Sequence, residues 1–238
     1  MTLLLLLLIA HLLGDFVFQP GLWAKDKLNR KIKSKWLYFH VLVHGVLAAS
    51  ILLIDSSYWW IPMVIIITHY GIDLSKAYLE GKVKPPILLI IDQVLHISVL
   101  TLIVKLTGVN ISISIDYDLN SVLLFLMVIL MVTYMGAVFV KITIASWSPS
   151  SFSDSDDSLV NAGRYIGIME RLFVFIFIIT NHWEGIGFLL AAKSVFRFGD
   201  LKEAKDRKLT EYMLIGTLVS FGIGIIGGIS YLYFIDLL

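Results

Sequence analysis

Five of the six histidines in this 238-residue chain fall into four short patterns: His11–Asp15, His40–His44, His69–Asp73 and Asp92–His96. Each pair is spaced i,i+4, which on a helix puts both side chains on one face about one turn apart. Two ligands on one helix need that geometry to share a metal ion or to serve neighbouring ions. Gln19 extends the first stripe, Lys76 extends the third, and Gln93 adjoins Asp92. The chain has no cysteine, so any metal here is held by nitrogen and oxygen. Such His-rich, carboxylate-containing sites suit zinc, and also iron or manganese. Spacing does not choose among these metals, nor between one ion and two. Three carboxylates (Asp15, Asp73, Asp92) in an apolar setting are costly without compensation, and neutral imidazoles do not offset them. Two divalent cations would outweigh the three negative charges and leave room for a hydroxide. The other arrangement is one cation with some of the eight side chains in outer positions, where a ligating histidine donates its second N–H to a carboxylate.

The elements that must position these residues are membrane helices. Hydrophobic residues make up 58% of the chain and the mean hydropathy is +0.86, too apolar for a soluble domain of this size. The expected fold is an all-α, polytopic helix bundle. About eight transmembrane segments are expected, at 2–19, 36–54, 58–79, 87–106, 120–144, 163–181, 184–200 and 210–236, with 184–200 the shortest. The first segment reads as a retained helix, since it lacks a basic start and a small-residue cleavage site and carries His11 and Asp15. The stretch 110–119, "NISISIDYDL", alternates polar and apolar residues and reads as a loop or short strand outside the bilayer. A Ser/Asp-rich linker at 148–160 divides a five-helix part, 1–147, from a three-helix part, 161–238. The net charge of +1 says nothing about partners; the membrane and a lipidic substrate are expected, and no nucleic acid.

Lysine and arginine favour cytoplasmic loops. They crowd the first connection (Lys25 to Lys35), the third (Lys82, Lys84) and the seventh (Lys202 to Lys208), and are missing from the second. This orientation, in a bacterial cytoplasmic membrane, brings all four His/Asp pairs to one depth in the cytoplasmic leaflet. Structural polar residues that merely bond a neighbouring helix have no reason to agree in depth. The back half adds Arg164, Glu170 and Arg171 in "GRYIGIMER", and Lys193 and Arg197 in "AAKSVFRF", toward the same leaflet. Arginine and lysine near helix ends commonly snorkel to headgroups. Beside a metal, the same cations suit a phosphate, with Arg164, Arg171, Lys193, Arg197, Gln19 and Gln93 as substrate-binding groups. Glu170 and Lys76 are the candidate acid–base groups, and Glu170 is alternatively a further ligand. His182, beside Trp183, falls at the opposite face and reads as interfacial. The Gly-rich "SFGIGIIGGIS" of the last segment reads as close helix packing.

The patterns "HLLGDFVFQ", "HVLVHG", "THYGIDLSK" and "DQVLHI" together resemble a bacterial membrane family catalogued as domain of unknown function 3307, over about residues 5–105. "GRYIGIMERLFVF" and "AAKSVFRF" look like the C-terminal half found in its members. The resemblance implies a membrane protein and no particular activity. The residues favour a membrane-embedded metal-dependent hydrolase whose substrate is a lipidic or amphiphilic, phosphate-bearing molecule. The alternatives are a di-iron lipid oxidase or hydroxylase, a metal-ion or solute transporter, and a structural membrane subunit. The oxidases usually carry adjacent His-His boxes, which this chain lacks.

The charge bias yields a test. In this cysteine-free chain, a cysteine placed at Arg30 is expected to react with an impermeant maleimide only from the cytoplasmic side. Labelling of intact cells from outside would reverse the orientation.

Overall fold

The computed structural model describes residues 1–52, 58–108, 118–147, 157–195 and 204–238. The chain is all-α, and among the described residues the only β feature is an isolated bridge between Glu80 and Val83. The expected loop at 110–119 and the linker at 148–160 lie mostly outside those residues. Among the described residues, three helices are long and apolar enough to cross a membrane: Pro85–Thr107, the continuous run Leu119–Trp147, and Thr210–Ile235. A fourth is possible if Thr2–Val17 and Gly21–Lys33, bent by 84°, form one broken span. The all-α class stands, and this count does not support the expected eight spans. Of the segment at 184–200, the described residues form a helix over Trp183–Val195, and positions 196–200 lie outside them.

Two compact units divide the chain, Met1–Met127 and Val128–Leu238. In the first, α1 (Thr2–Leu12) is built from a leucine run and passes into a π-helical turn, Leu13–Val17. Pro20, which cannot continue the helix ladder, then starts α2 (Gly21–Arg30). Ser34 donates to Asp26 Oδ2 at 2.6 Å and ties α2 to the start of α3 (Lys35–Leu52). α4 spans Trp60–Leu79. α5 (Pro85–Thr107) opens on prolines in its first turn and closes on Gly108 at φ 60°, the left-handed conformation that suits a helix end.

α1, α3, α4 and α5 pack as a ring: α1 on α3, α3 on α4, α4 on α5, and α5 on α1. Their inner faces are single i,i+4 stripes. Leu3 and Leu7 lead to His11 and Asp15 on α1; Ile61 and Ile65 lead to His69 and Asp73 on α4. α3 and α5 run the other way, with His40 and His44 before Ala48, and Asp92 and His96 before Leu100 and Ile103. Leu3, Leu7, Ala48, Ile61, Ile65, Leu100 and Ile103 form one buried cluster, so one end of the ring is apolar and the other polar. Outward faces carry exposed Leu42, Val46, Met63, Ile67, Ile90 and Val94, the reverse of a water-soluble bundle.

The second unit holds α7 (Gly136–Ile144), α8 (Asp157–Ile179), α9 (Trp183–Val195) and α10 (Ala204–Ile235). A second π-helical turn, Met131–Met135, joins α6 (Leu119–Leu130) to α7. α8 packs on α10 through glycines: a Cβ at Gly224 would sit 2.9 Å from Val174 Cγ1, and one at Gly228 would sit 2.8 Å from Ile178 Cγ2. Arg171 is 2% exposed. Its Nε donates to the carbonyl of Val132, Nη2 to that of Thr133 at 3.2 Å, and Nη1 to Ser220 Oγ at 2.9 Å. A π turn pushes carbonyls out of the regular ladder, and the guanidinium fork takes two of them.

This gives Arg171→Lys a direction. An ammonium point charge cannot reproduce the planar fork, and each buried carbonyl left unpaired costs about 1–3 kcal/mol. A lowered midpoint of thermal unfolding in detergent is expected, with the metal content of the purified protein unchanged.

Candidate metal centre

Four helices deliver the site. Asp15 sits on the π turn at the end of α1, where the wider turn projects its carboxylate inward beside Gly14. That carboxylate is the hub. Its Oδ1 lies 3.1 Å from His44 Nε2, 3.2 Å from His40 Nε2 and 3.6 Å from His69 Nε2; its Oδ2 lies 3.6 Å from His11 Nε2. Four imidazole nitrogens from three helices thus face one carboxylate. Ligand atoms around a tetrahedral ion with bonds of 2.0–2.1 Å stand about 3.3 Å apart, and the distances from Asp15 to His44, His69 and His11 of 3.1–3.6 Å bracket that value. His11, Asp15, His44 and His69 have donor atoms within 4.8 Å of one another, as do His40, His69 and Asp73, and Asp15, Asp92 and His96.

The tautomers follow from what each neighbour can accept. His96 Nδ1 lies 2.9 Å from the carbonyl of Asp92, which only accepts, so Nδ1 carries the proton. Its Nε2 is then a bare lone pair, buried with no partner among the described residues. Gln93 donates through Nε2 to Asp15 Oδ2 at 2.8 Å and to Asp92 Oδ2 at 3.2 Å, which turns its Oε1 toward His11 Nε2 at 3.2 Å. His40 and His69 face each other through Nε2 at 3.1 Å, and at most one of the two can donate. Facing the acceptor oxygens of Gln93 and Asp15, His11 Nε2 and His44 Nε2 are donors here and would have to shift that proton to bind a metal, whereas His96 Nε2 and one of the His40–His69 pair present bare lone pairs. A cavity of about 20 Å³ borders His11, His44, His69 and His96 on the side of Leu7 and Ala48. That is room for about one water.

The eight side chains read from the sequence therefore meet in one cluster, joined by Gln93 and Lys76. Two participants carry no signal in the i,i+4 pattern. Lys27, on α2, donates to Asp73 Oδ2 at 2.6 Å. Gly14 makes the close approach possible, since a Cβ there would lie 2.4 Å from His44 Cε1. Lys76 donates to Asp92 Oδ2 at 2.7 Å. The charge balance drawn from the sequence left both lysines out. Formally, three carboxylates and two ammonium groups leave a single negative charge.

The other candidates lie elsewhere. Gln19 is half-buried beyond the π turn with an unpaired amide nitrogen, and it bonds none of these residues. Glu170 and Lys193 pair with each other at 2.7 Å inside the second unit. Arg164 is exposed on α8, and Arg171 spends three N–H groups as described above. Arg197 lies outside the described residues. His182 is exposed in the second unit, with Nδ1 2.8 Å from the carbonyl of Thr180.

A family described as a protein of unknown function, DUF3307, matches residues 3–126. The chain belongs to that family. The match covers more than half the chain, wider than the 5–105 read from the motifs. It stops one residue before the end of the first compact unit. The DUF3307 region thus contains every residue of the cluster, while "GRYIGIMERLFVF" falls beyond it. No curated protein and no solved structure matches the chain.

Gly14→Ala should displace the His44 ring. The expected result is a metal content as low as that of His44→Ala by elemental analysis, whereas His182→Ala keeps the wild-type value. Full metal content in Gly14→Ala would show that His44 is not a ligand.

Proposed function

We propose that this DUF3307 protein is a membrane-embedded, metal-dependent hydrolase. Its substrate is a lipidic or amphiphilic molecule bearing a phosphate, met at the cytoplasmic leaflet of a bacterial inner membrane. The observation that carries the reading is the convergence of four imidazole Nε2 atoms on the buried carboxylate of Asp15. His11, Asp15, His44 and His69 supply four nitrogen and oxygen ligands, and His96 Nε2 is a further lone pair beside them. Zinc suits this donor set, with iron or manganese as alternatives.

Charge favours one ion. The cluster carries one net negative charge once Lys27 and Lys76 are counted. One divalent cation and one anionic oxygen bring it to neutrality; two cations would leave a dry site strongly positive. A divalent ion held there would lower the pKa of a water to about 7 and so provide a nucleophile at neutral pH. The protein's own part is placement. Gln93 and the Lys76–Asp92 pair orient the ligands through hydrogen bonds, as outer partners of metal ligands do. The apolar wall of Leu7 and Ala48 keeps bulk water out. The exposed Leu42, Val46, Met63 and Ile67 support lipid on the outer faces of α3 and α4, although these helices are shorter or more polar than the three clear spans.

Elemental analysis of detergent-purified protein is expected to find about one zinc per chain, and almost none in His44→Ala. Zinc-loaded protein is expected to release phosphate or a headgroup from a phospholipid or prenyl phosphate. A metal-free wild-type protein would end the metal reading. A metal-loaded protein that turns over neither class would end the hydrolase reading alone.

A further inference from the structure

We propose that Lys27 and Lys76 form a two-armed clamp for a phosphate group at the mouth of the imidazole cluster. This inference rests on the metal-centre reading above and names the groups that hold the substrate's anion. Among the described residues, these are the lysines that reach the cluster's carboxylates. They enter from two elements, α2 and α4, at the polar end of the ring.

Burial and donor count point the same way. The Asp73 and Asp92 side chains are 5% and 1% exposed, whereas Lys27 and Lys76 are 12% and 30% exposed. The carboxylates lie inside and the ammonium groups at the rim. Each ammonium has three donors and spends one on its carboxylate. The remaining two are free for an acceptor arriving from the rim, and phosphate oxygens are strong acceptors for charged donors. The carboxylates in turn fix the ammonium groups beside the cluster, where they do not take up the histidine nitrogens. Three other cations near α2 are engaged elsewhere. Arg30 pairs with Asp26 at 3.1 Å, Lys31 lies over the Tyr78 ring, and Lys35 lies over that of Trp36.

The carrier of Lys27 suggests where the phosphate comes from. α2 turns 84° from α1 and is held by stacking of Trp23 on Trp36, with centroids 4.6 Å apart. Leu22 on α2 is 79% exposed and Phe18 just before it 48%. A tryptophan pair and exposed apolar residues beside lysines are the features of a helix lying at headgroup level. A phosphate there, with its apolar tail among the helices, would meet both arms.

The test uses the full chain, zinc-loaded, in phosphatidylcholine nanodiscs. Inorganic phosphate is titrated by calorimetry in one arm; phosphatidic acid is incorporated and its binding followed by phosphorus NMR in the other. Lys27→Gln and Lys76→Gln, each zinc-saturated and titrated per mole of bound zinc, are expected to weaken phosphate binding roughly tenfold or more, the value of a charged hydrogen bond. Lys25→Gln, an exposed change on the same helix, is expected to bind as wild type. Because a lone glutamine leaves a buried carboxylate unpaired, Lys27→Gln/Asp73→Asn and Lys76→Gln/Asp92→Asn are measured too. Tighter binding of phosphatidic acid than of inorganic phosphate supports a lipid source; equal binding supports the clamp with free phosphate as its ligand. Wild-type phosphate affinity in both double variants, or no binding by wild type in either arm, overturns the clamp. If the wild type holds no zinc, the metal reading fails, and the same titrations still decide the clamp.

Discussion

A buried carboxylate on the π turn that follows α1 imposes most of what is seen in the first unit. Asp15 is 8% exposed inside a ring of apolar helices. A charge in that setting is tolerated only when neighbours supply donors or counter-charge at the same depth. Each helix of the ring therefore brings a polar pair to one level, from alternating directions along the chain. α1 and α4 reach that level after apolar turns, and α3 and α5 begin near it. The π turn and Gly14 follow from the same demand. The first swings the carboxylate inward, and the second removes the Cβ that would occupy the space of the His44 ring.

The same demand accounts for the energetics. Where lipid covers the outer faces, burying leucine against leucine gains little, because the tails are equally apolar. Interhelical hydrogen bonds in membranes average only about 0.6 kcal/mol each. A network around Asp15 that includes His11, His40, His44, His69 and Gln93 is worth having mainly because any member left alone is expensive. The imidazoles sit close, His44 and His69 with ring centroids 3.8 Å apart. A cation at this point would take up the unpartnered nitrogen of His96 and the unshared lone pair between His40 and His69, and would replace the N–H groups that now face Asp15. The proposal of a metal centre is an answer to that arrangement.

The second unit solves a similar problem by different means. Arg171 meets the carbonyls of a π turn and Ser220, and Lys193 meets Glu170. Charge there is matched in short local sets, and the glycines of α10 let α8 approach closely. The DUF3307 match ends one residue before the first unit does, so the family region and the unit that holds the cluster nearly coincide.

The sequence by itself determined the pairing of chemistry. The i,i+4 rule is local to a helix, so four His/Asp patterns on apolar segments are legible without any tertiary information, and so is the all-α class. Hydropathy also showed the apolar character of the chain. A window of apolar residues does not record where a helix bends, as by 84° between Thr2–Val17 and Gly21–Lys33. Tertiary structure alone decided three matters. It made Asp15 the hub, because that depends on a π turn whose hydrogen-bond register shows in no composition. It brought Lys27 to Asp73 across 46 positions of sequence through the turn into α2. It also changed the charge balance from three uncompensated carboxylates to a single net negative charge. Distances between helices set that balance, and a one-dimensional pattern holds no distances between helices.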